Sequence, residues 1–528
     1  MKKLLYIWHS KRIFWSILFI LGMCTILPYG AHLDQQSEQD ILFSNVIAYC
    51  EKTGVMLPFS NQLRAEGISS IAESIEIDHG MSVFYPMVWI YALNAKTPYI
   101  ANIVWHIYIF CFSMIGIICF YKVIESIFSS GTAKLATLFF FFTPRIFAEM
   151  HYNNKDIVLM ALACMVYYSG WKLEKETTLR NAVIFGILGA FITNMKIVGV
   201  FIWGVLGLWI LLEKILKKQF NVKLLNMMLA CIGSMAIFFI LLTPATWNGL
   251  RDYILYVLEN AKNFRWNDYI LFNGKMYCKT TTGIPRKYLP VIFLMTTPVG
   301  VILLASLGTI FLLGQICKLN IDMKIRYIIA VIACGIVPFG YAIVSAATVY
   351  NGWRHFYFIY PSVIILVALA LSYFEEKNIR VVNWSITAYL IILFAEVIAG
   401  HPKQYAYYNE VARFHLENKF EIDYWDMSFK QLLEYLTEYD TRAAFKIAAI
   451  DNPSKWGIDA QLLAIRGKKR CRIEVVNDWE SADYVILNAT YAAMYCPNEY
   501  QLIQSQNELV TKVNAYGNDL SYVYKVEQ

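Results

Sequence analysis

Three acidic residues, Asp34, Glu38 and Asp40, directly follow the first apolar segment of this 528-residue chain. Asp34 and Glu38 are four residues apart, so a helix that begins here places both carboxylates on one face. Carboxylates at the edge of an apolar bundle are costly to bury, and they usually face water, a positive charge or a substrate. A positioned carboxylate can also act as a general base. This segment is therefore the first candidate for catalytic chemistry.

Basic and acidic side chains gather in four later segments as well. The linker 143–156 holds two bases, two acids and a histidine within twelve residues, and Lys196 stands alone between two apolar runs. Segments 350–355 and 401–410 are also rich in polar and aromatic residues. Cations in such positions suit a phosphate or pyrophosphate group. The candidate site residues in these segments are Arg145, His151, Lys155, Asp156, Lys196, Trp353, Arg354, His355, His401, Tyr408, Asn409 and Glu410.

Each of these residues also has a purely structural interpretation. Trp353 and Tyr408 fit the aromatic belts that membrane proteins carry at both membrane edges. Arg145 and Lys196 could extend their charged ends to the surface. Asp156 could cap the N-terminus of a helix, a role that is compatible with catalysis. The gathering of acids and bases on one side of a membrane favours the functional interpretation.

The composition indicates which elements must position these residues. The chain is 58% hydrophobic and 16% charged, with a mean hydropathy of +0.45, which is far more apolar than an average soluble domain. A helix needs about 20 apolar residues to cross a bilayer. We predict a polytopic α-helical membrane protein with about eleven transmembrane helices. They fall at 13–30, 101–122, 133–148, 156–172, 181–193, 197–216, 225–245, 288–314, 326–348, 356–373 and 382–399.

The distribution of lysine and arginine predicts the orientation in a plasma membrane. Basic residues cluster before the first span and in four later loops, all of which fall on one side of an eleven-span topology. The positive-inside rule makes that side cytoplasmic. The N-terminus is then cytoplasmic, whereas segments 31–100 and 246–287 and the chain after residue 400 are extracytoplasmic. The net charge of +7 reflects this topology rather than binding to nucleic acid.

The composition changes after the last span and predicts a second domain. Helical spacing over 429–439 and short β-type runs at 445–450, 472–476 and 484–487 indicate a small α/β unit. We predict a transmembrane catalytic domain over residues 1–415 and a soluble extracytoplasmic α/β domain over 416–528. Cys471 and Cys496 would both lie outside, and the sequence leaves open whether they form a disulfide. Cysteine and histidine spacings typical of zinc sites do not occur.

Five of these segments together resemble a known family. They are the acidic loop 34–40, the linker 144–156, segment 285–298 (Pro-Arg-Lys-Tyr-Leu-Pro…Thr-Thr-Pro), Gly-Trp-Arg-His at 352–355 and His-Pro…Tyr-Asn-Glu at 401–410. The chain resembles the polyprenyl-phosphate-dependent glycosyltransferases of the GT-C class, in the branch of protein O-mannosyltransferases and bacterial aminoarabinose transferases. Those relatives usually carry an Asp-Glu pair in the first outer loop, where this chain has Ser37-Glu38. The base is therefore assigned to the segment, with Asp34 and Glu38 as the first candidates and Asp40 as a third.

The resemblance implies an enzyme of the cell envelope that transfers a hexosyl or pentosyl group from a polyprenyl-phosphate donor. The acceptor would be a protein, lipid or glycan on the extracytoplasmic face, and a single displacement would invert the anomeric configuration. A carboxylate of the first loop would be the base. The donor phosphate would be bound by Arg145, Lys155, Lys196, Arg354 and His355. His151 and Asp156 would support the site or bind a divalent cation, Mg²⁺ or Mn²⁺, although no cofactor is certain. Trp353, His401, Tyr408, Asn409 and Glu410 would face the site.

Two other functions remain open from the sequence. A transporter or lipid flippase could use the outer charges as a gate, but it predicts charged residues deep within the spans and an internal repeat. The sequence shows little of either. A non-catalytic membrane scaffold with a partner-binding C-terminal domain would not require acids and bases on one side of the membrane.

Overall fold

The chain folds into a mostly helical structure with a β-sheet near its C-terminal end. The coordinates are those of a computed structural model that describes residues 10–262, 264, 266–414, 416 and 418–527. The basic residues at positions 2 and 3, which contribute to the predicted orientation, lie outside the described residues. Residues 415 and 417, at the predicted domain boundary, lie outside them as well, so that boundary stays a prediction.

The helices follow one another along the chain with short connections. In the first half they are α1 (Lys11–Cys24), α2 (Gln35–Thr53), α3 (Ser60–Ala65), α4 (Ile90–Lys96), α5 (Pro98–Ile127), α6 (Ser130–Phe141), α7 (Pro144–Tyr152), α8 (Asp156–Lys175), α9 (Leu179–Met195), α10 (Val198–Leu216), α11 (Val222–Leu242) and α12 (Leu250–Lys262). In the second half they are α13 (Tyr288–Thr296), α14 (Val299–Cys317), α15 (Met323–Val344), α16 (Tyr360–Lys377), α17 (Arg380–Gly400), α18 (Met427–Tyr439), α19 (Asn452–Leu462), α20 (Gly467–Arg470), α21 (Tyr491–Tyr495) and α22 (Pro497–Gln506). Short 3₁₀ helices occur at Ile71–Glu73, Ser82–Met87, Pro244–Thr246, Arg354–Ile359, Gln404–Ala406 and Trp479–Ser481.

Within the described residues, eight helical segments are long and apolar enough to cross a membrane. They are α5, α8, α10, α11, α14, α15, α17 and the continuous segment Arg354–Lys377, which ends with α16. The other three predicted spans, 13–30, 133–148 and 181–193, fall on α1, α6 and α9, which have 14, 12 and 17 residues. A polytopic helical membrane protein is thus confirmed, with three of the eleven predicted spans shorter than a full crossing.

Proline residues explain why two of the predicted spans are interrupted. Proline lacks an amide hydrogen and clashes with the preceding turn, so it is favoured at the start of a helix and disfavoured within one. Pro144 is the first residue of α7 and separates it from α6. Pro298 lies directly before α14 and separates it from α13. These interruptions bring loops and polar helix ends to the edge of the apolar bundle.

Helix α8 lies at the centre of the bundle. In its most apolar stretch 89% of the residues are buried, compared with 17% in α11 and 22% in α14, which lie at the periphery. Its first residue is Asp156. The N-terminal end of the most buried span therefore carries a carboxylate.

The C-terminal part of the chain forms a mixed five-stranded sheet, and a separate antiparallel pair precedes α13. The pair consists of β1 (Tyr269–Phe272) and β2 (Lys275–Cys278). The sheet strands are β3 (Phe445–Ala448), β4 (Ile473–Val475), β5 (Tyr484–Asn488), β6 (Glu508–Ala515) and β7 (Asn518–Lys525), in the spatial order β4-β3-β5-β7-β6. β3 is parallel to β4 and β5, whereas β7 is antiparallel to β5 and β6. This agrees with the α/β pattern in the sequence.

The sheet-bearing region contacts the loop that follows α1. Lys430 Nζ donates hydrogen bonds to the backbone oxygens of Leu27 and Tyr29, at 2.7 and 3.1 Å. Gln461 Nε2 donates to the backbone oxygen of Ala31 at 2.7 Å. These contacts hold the sheet-bearing region against the segment that leads to Asp34. Cys471 and Cys496 are free thiols, so the structure contains no bridge between them.

Candidate active site

Two neighbouring cavities meet at Asp34 and Arg354. The first, the lysine cavity, has a volume of about 480 Å³ and is lined by Lys155 and Lys196. The second, the aspartate cavity, has a volume of about 590 Å³. Its four lining carboxylates belong to Asp34, Asp40, Asp268 and Asp459. The two cavities share the side chains of His32, Asp34, Ser37, Trp266, Tyr350 and Arg354.

The start of α8 is fixed by Asn153. Its Oδ1 accepts hydrogen bonds from the backbone nitrogens of Lys155 and Asp156, at 3.0 and 2.8 Å. These bonds satisfy amide groups that have no partner within the helix. The positive end of the helix dipole favours the carboxylate of Asp156 in the first turn. The sequence 153–156 thus places an ammonium group and a carboxylate side by side on the wall of the lysine cavity.

Asp156 holds two cations from other parts of the chain. Its Oδ2 lies 3.3 Å from Arg354 Nη1, and its Oδ1 accepts a hydrogen bond from Lys196 Nζ. His355 Nδ1 lies 3.8 Å from the same Oδ1. Lys196 is the residue that ends α9, where the backbone becomes extended before α10. Because Asp156 is only 2% exposed, its carboxylate fixes the positions of these groups rather than meeting solvent.

Arg354 is held by carboxylates and aromatic rings. Its Nη2 lies 3.3 Å from Asp34 Oδ2, so a single guanidinium contacts both Asp34 and Asp156. The guanidinium carbon lies 5.5, 5.1 and 4.8 Å from the ring centroids of Tyr350, Tyr424 and Trp425. Arginine favours such combined ion pairing and stacking. Arg354 Nε is buried and has no hydrogen-bond partner among the described residues.

The turn before Arg354 needs an unusual backbone conformation. Asn351 and Gly352 have positive φ angles of 53° and 80°, a region that asparagine tolerates and glycine adopts freely. The amide nitrogen of Gly352 donates to Tyr288 Oη at 2.8 Å. This turn places Arg354 at the first residue of its span, next to the start of α8 and the C-terminal end of α9.

Glu38 is paired with Lys155. Its Oε1 lies 2.9 Å from Lys155 Nζ, and both side chains are close to 90% buried. Burial alone raises the pKa of Glu38, but the Lys155 ammonium group together with His79 and His32 outweighs it, so that the pKa is lowered. Glu38 is therefore placed to orient Lys155, and it lines only the lysine cavity.

The three acids of the first loop have different surroundings. Asp34 lies at the N-cap of α2, its side chain is 40% exposed, and it is the one of the three that lines both cavities. Asp40 lines only the aspartate cavity. Burial, together with the negative charge of Glu66, raises the pKa of Asp40 to about 6. The sequence groups the three acids in one segment, whereas the structure gives each of them different surroundings.

Arg145 and His151, two of the predicted site residues, are held by packing contacts outside both cavities. Arg145 is 2% exposed, donates from Nε to the backbone oxygen of Tyr407 at 3.0 Å, and stacks on the rings of Tyr405 and Tyr408. The nitrogens of His151 lie 2.7 Å from the backbone oxygen of Phe147 and 3.1 Å from that of Gly22. These contacts hold both side chains, and neither of them lines the lysine or the aspartate cavity.

The remaining predicted site residues brace the loops around the site. Trp353 Nε1 donates to Thr296 Oγ1 at 2.8 Å, and Asn409 Nδ2 donates to the backbone oxygen of Thr297 at 2.9 Å. Tyr408 donates to the backbone oxygen of Glu421, Glu410 accepts from Tyr389, and His401 packs edge-on against Tyr29. Trp353, His401, Tyr408, Asn409 and Glu410 line neither of the two cavities.

Several residues at the cavities were not recognised from the sequence. Tyr424 and Trp425, which stack on Arg354, lie between the acids Asp423 and Asp426 in a segment that the sequence predicts to belong to the soluble domain. Trp266 lines both cavities but lies in a long loop without a readable pattern. Adjacent aromatic residues flanked by acids are a signal that could have indicated a binding wall at 423–426.

A group of potential metal ligands borders the lysine cavity. Glu76, Asp78 and His79 each offer an atom within 4.8 Å of the others, and Glu76 and His79 line the cavity. Asp78 Oδ1 is buried and has no hydrogen-bond partner among the described residues. Carboxylates with an imidazole suit Mn²⁺ better than Mg²⁺, which prefers oxygen ligands. Asp156 and His151, the pair suggested by the sequence, are not part of this group.

The charges of the lysine cavity are closely balanced. Its described cations are Lys155, Lys196 and Arg354, beside the histidines. Each of these three already contacts a carboxylate. An ammonium group has three donors and a guanidinium has five, so donors remain for an anion in the cavity. The carboxylates therefore orient the cations without exhausting them.

Comparisons with known proteins give similarity at the level of overall structure. No protein-family model and no curated protein sequence matches the chain. ArnT from Cupriavidus metallidurans bound to undecaprenyl phosphate is similar at 10% identity over 97% of both chains, with a TM-score of 0.48. Its apo state gives 10% identity over 98% of both chains and a TM-score of 0.48.

An oligosaccharyltransferase from Archaeoglobus fulgidus in the apo form is also similar. It has 9% identity over 98% of this chain and 75% of that chain, with a TM-score of 0.47. TM-scores below 0.5 do not assign an activity, so the function rests on the geometry of the site.

Proposed function

We propose that this protein is an integral membrane glycosyltransferase that moves a sugar from a polyprenyl-phosphate donor to an acceptor hydroxyl. The observation that carries the proposal is the position of Asp34. Its carboxylate lines both the lysine cavity, which contains Lys155 and Lys196, and the aspartate cavity, and it lies 3.3 Å from Arg354. A base between an anion site and a second substrate site is what direct transfer to a hydroxyl requires.

The lysine cavity suits the donor phosphate. Asp156 begins the span α8, Arg354 begins another span, and Lys196 ends α9, so the cavity lies at the edge of the apolar bundle. The phosphate of a lipid carrier would lie at that depth while its chain remains in the bilayer. Charge-assisted hydrogen bonds from Lys155, Lys196 and the unpartnered Nε of Arg354 would bind it.

Asp34 suits the role of base better than the other two acids. Glu38 is close to 90% buried beside Lys155, so its carboxylate is less accessible to a hydroxyl than that of Asp34. Asp40 is separated from the lysine cavity, where the anomeric carbon next to the phosphate would lie. Asp34 is partly exposed and borders both substrates.

The proposed reaction is a single displacement. Asp34 accepts the proton of the acceptor hydroxyl, the hydroxyl oxygen forms a bond to the anomeric carbon, and the bond from that carbon to the phosphate oxygen breaks. The phosphate leaves with the bonding electron pair, and the configuration inverts. Asp34 loses its negative charge as the phosphate gains one. Arg354, which contacts Asp34, can therefore shift toward the phosphate without leaving the Asp34 carboxylate unpaired.

A divalent cation would complement this site. Glu76, Asp78 and His79 would hold Mn²⁺ or Mg²⁺ at the wall of the lysine cavity. The ion would supply positive charge for the leaving phosphate in a cavity whose own cations are each paired with an acid. The residues of this chain would still bind the phosphate and move the proton.

The orientation is also part of the proposal. The positive-inside rule assigns the lysine-rich loops to the cytoplasm, and the two cavities would then open on the extracytoplasmic side together with the sheet-bearing region. A lipid-linked sugar on the outer leaflet would be accessible there.

The direct test uses the purified protein in detergent with radiolabelled polyprenyl-phosphate sugars. Transfer to a crude envelope acceptor, or slow release of free sugar in its absence, is expected, and replacement of Asp34 by Asn should remove both. Release of sugar by the Asp34→Asn protein at the wild-type rate would contradict the assigned base. Movement of labelled lipid across proteoliposomes without breakage of the sugar–phosphate bond would instead support a flippase.

A further inference from the structure

We infer that the aspartate cavity binds a carbohydrate acceptor that carries no anionic group near its reacting hydroxyl. The inference rests on the proposed function, because it takes this cavity as the acceptor side of Asp34. It names the chemical class that the walls of the cavity recognise.

The electrostatic character of the cavity is negative. Asp40, Asp268 and Asp459 line it in addition to Asp34. Among the described lining residues the only lysine or arginine is Arg354, which already contacts Asp34 and Asp156. Three carboxylates thus face the cavity without a lining cation. A phosphate or carboxylate on the acceptor would meet like charges there, whereas hydroxyl or ammonium groups would find acceptors.

One of these carboxylates is held firmly in place. Asp268 Oδ1 accepts hydrogen bonds from Tyr495 Oη at 2.5 Å and from the backbone nitrogen of Tyr269 at 2.7 Å. Its second oxygen remains to accept a hydrogen bond from a ligand. The tyrosine hydroxyl connects the loop before β1 to α21, so the two walls of the cavity are fixed relative to each other.

Aromatic rings make up much of the remaining wall. The indole of Trp456 is 60% exposed, and Trp266 lines the same cavity. Tyrosines 269, 350, 424, 491 and 495 complete the set. Tyrosine and tryptophan offer an apolar face together with a polar edge. A sugar ring presents C–H groups on its faces and hydroxyls at its rim, which matches rings and carboxylates alternating around a cavity.

Two buried polar atoms at the cavity have no hydrogen-bond partner among the described residues. This observation does not depend on the carboxylates. Tyr491 is 4% exposed and lines the cavity, and its Oη has no hydrogen-bond partner among the described residues. His32 is 2% exposed, and its Nδ1 also lacks a partner within the described part of the chain. Buried polar atoms without partners are rare and costly. Hydroxyl groups, which donate and accept, would satisfy both.

The sheet-bearing region supplies the wall that distinguishes acceptors. Trp456 and Asp459 are three residues apart in α19, so they project from one face of that helix toward the cavity. An aromatic platform with a carboxylate one turn away is suited to hold one sugar unit by stacking and by hydrogen bonds to its hydroxyls. A basic peptide would also be attracted by the charges, but it would not need the aromatic platforms.

Calorimetric titration of the full-length protein tests this inference. The detergent should have no sugar headgroup. The probes are a neutral glucose tetrasaccharide, a glucosamine tetrasaccharide, the neutral tetrasaccharide with a 6-phosphate on its terminal unit, and a lysine-rich hexapeptide. At least one unphosphorylated saccharide should bind ten or more times tighter than the phosphorylated one. Trp456→Ala and Asp459→Asn should each weaken that binding fivefold or more, whereas Trp384→Ala, which changes an exposed residue of α17, should not.

The outcomes separate this inference from the proposed function. Equal or tighter binding of the phosphorylated saccharide, binding of the peptide alone, or binding that Trp456→Ala leaves unchanged would overturn the acceptor class. Failure of every saccharide to bind while the wild-type protein still breaks the sugar–phosphate bond would overturn it as well and leave the glycosyltransferase intact. Saccharide binding without any reaction of the lipid donor would instead count against the proposed function.

Discussion

The carboxylate of Asp34 lies 3.3 Å from the guanidinium of Arg354, at the boundary between the lysine cavity and the aspartate cavity. The same guanidinium lies 3.3 Å from Asp156, which in turn accepts a hydrogen bond from Lys196. A chain of alternating charges thus runs from the cavity boundary to the start of the most buried span. Asp34 and two of the cations that would bind a phosphate, Arg354 and Lys196, thus belong to one connected network of charged groups.

Replacement of Asp34 by Asn should reduce kcat of sugar transfer by about 100-fold or more, because general-base catalysis typically contributes 10² to 10⁴. The donor KM should change little. Glu51→Gln, an exposed change on the same helix, is the matched control and should retain full activity. Initial rates with radiolabelled donor provide the measurement. Full activity of Asp34→Asn with loss of activity in Glu38→Gln would transfer the role to Glu38.

Replacement of Arg354 by Lys should impair use of the donor. A single ammonium group cannot contact Asp34 and Asp156 in the planar geometry of a guanidinium, and lost charged hydrogen bonds cost about 1.5 to 3 kcal/mol. We expect kcat/KM for the lipid donor to fall about 10- to 100-fold. Arg442→Lys, on the surface of the sheet-bearing region, serves as the control. An unchanged dependence of rate on donor concentration would rule out contact with the phosphate.

Replacement of Arg145 by Met should affect stability rather than donor binding. Arg145 is buried against Tyr405 and Tyr408 and lies outside both cavities. Loss of its stacking and of its hydrogen bond to Tyr407 should lower the unfolding temperature in detergent, at a cost of about 1 to 3 kcal/mol. The donor KM of the folded fraction should equal that of the wild type. A raised KM would restore Arg145 to the phosphate site.

Glu149 should make stability depend on pH. It accepts a hydrogen bond from Trp425 Nε1 at 2.8 Å, and burial raises its pKa to about 7. As the pH rises from about 4.5 to 7, the carboxyl group ionises in the unfolded chain but stays protonated in the folded one. This group therefore removes about 3 kcal/mol of stability across that window. Above pH 7 its effect should be constant.

Thermal unfolding of wild-type protein and Glu149→Gln between pH 4.5 and 8 measures this contribution. The wild type should lose more stability across the window than the variant, whose side chain does not titrate. Glu499→Gln changes an exposed carboxyl group and should follow the wild-type curve. Parallel curves for wild type and Glu149→Gln would show that Glu149 ionises alike in both states.

Removal of divalent cations should slow transfer if Glu76, Asp78 and His79 bind one. Chelation is expected to reduce the rate at least tenfold, and Mn²⁺ should restore it more effectively than Mg²⁺ because of the imidazole ligand. Asp78→Asn should weaken Mn²⁺ binding, measured by electron paramagnetic resonance, whereas Asp252→Asn on the nearby α12 should not. Undiminished Mn²⁺ binding in Asp78→Asn would exclude this site.

Local patterns in the sequence predicted much of the fold. Apolar stretches placed every predicted span on helical segments, helical spacing placed α18, and short β-type runs placed β3, β4 and β5. Proline positions divided two of the spans, an effect that composition averaged over a window of 20 residues does not resolve. Secondary structure depends mainly on near neighbours in the chain, so it can be read without knowing the tertiary contacts.

The sequence by itself determined the membrane class, because its apolar stretches are long enough to cross a bilayer, and its isolated charges indicated Asp34, the start of α8, Lys196 and Arg354, which line the two cavities. Only the tertiary structure decided their partners. It paired Glu38 with Lys155, placed Asp34 between two cavities, buried Arg145 under aromatic rings, and brought Trp425 onto Arg354. An ion pair or a cavity wall depends on distances between residues that are far apart in the chain, and those distances are set by how the helices pack.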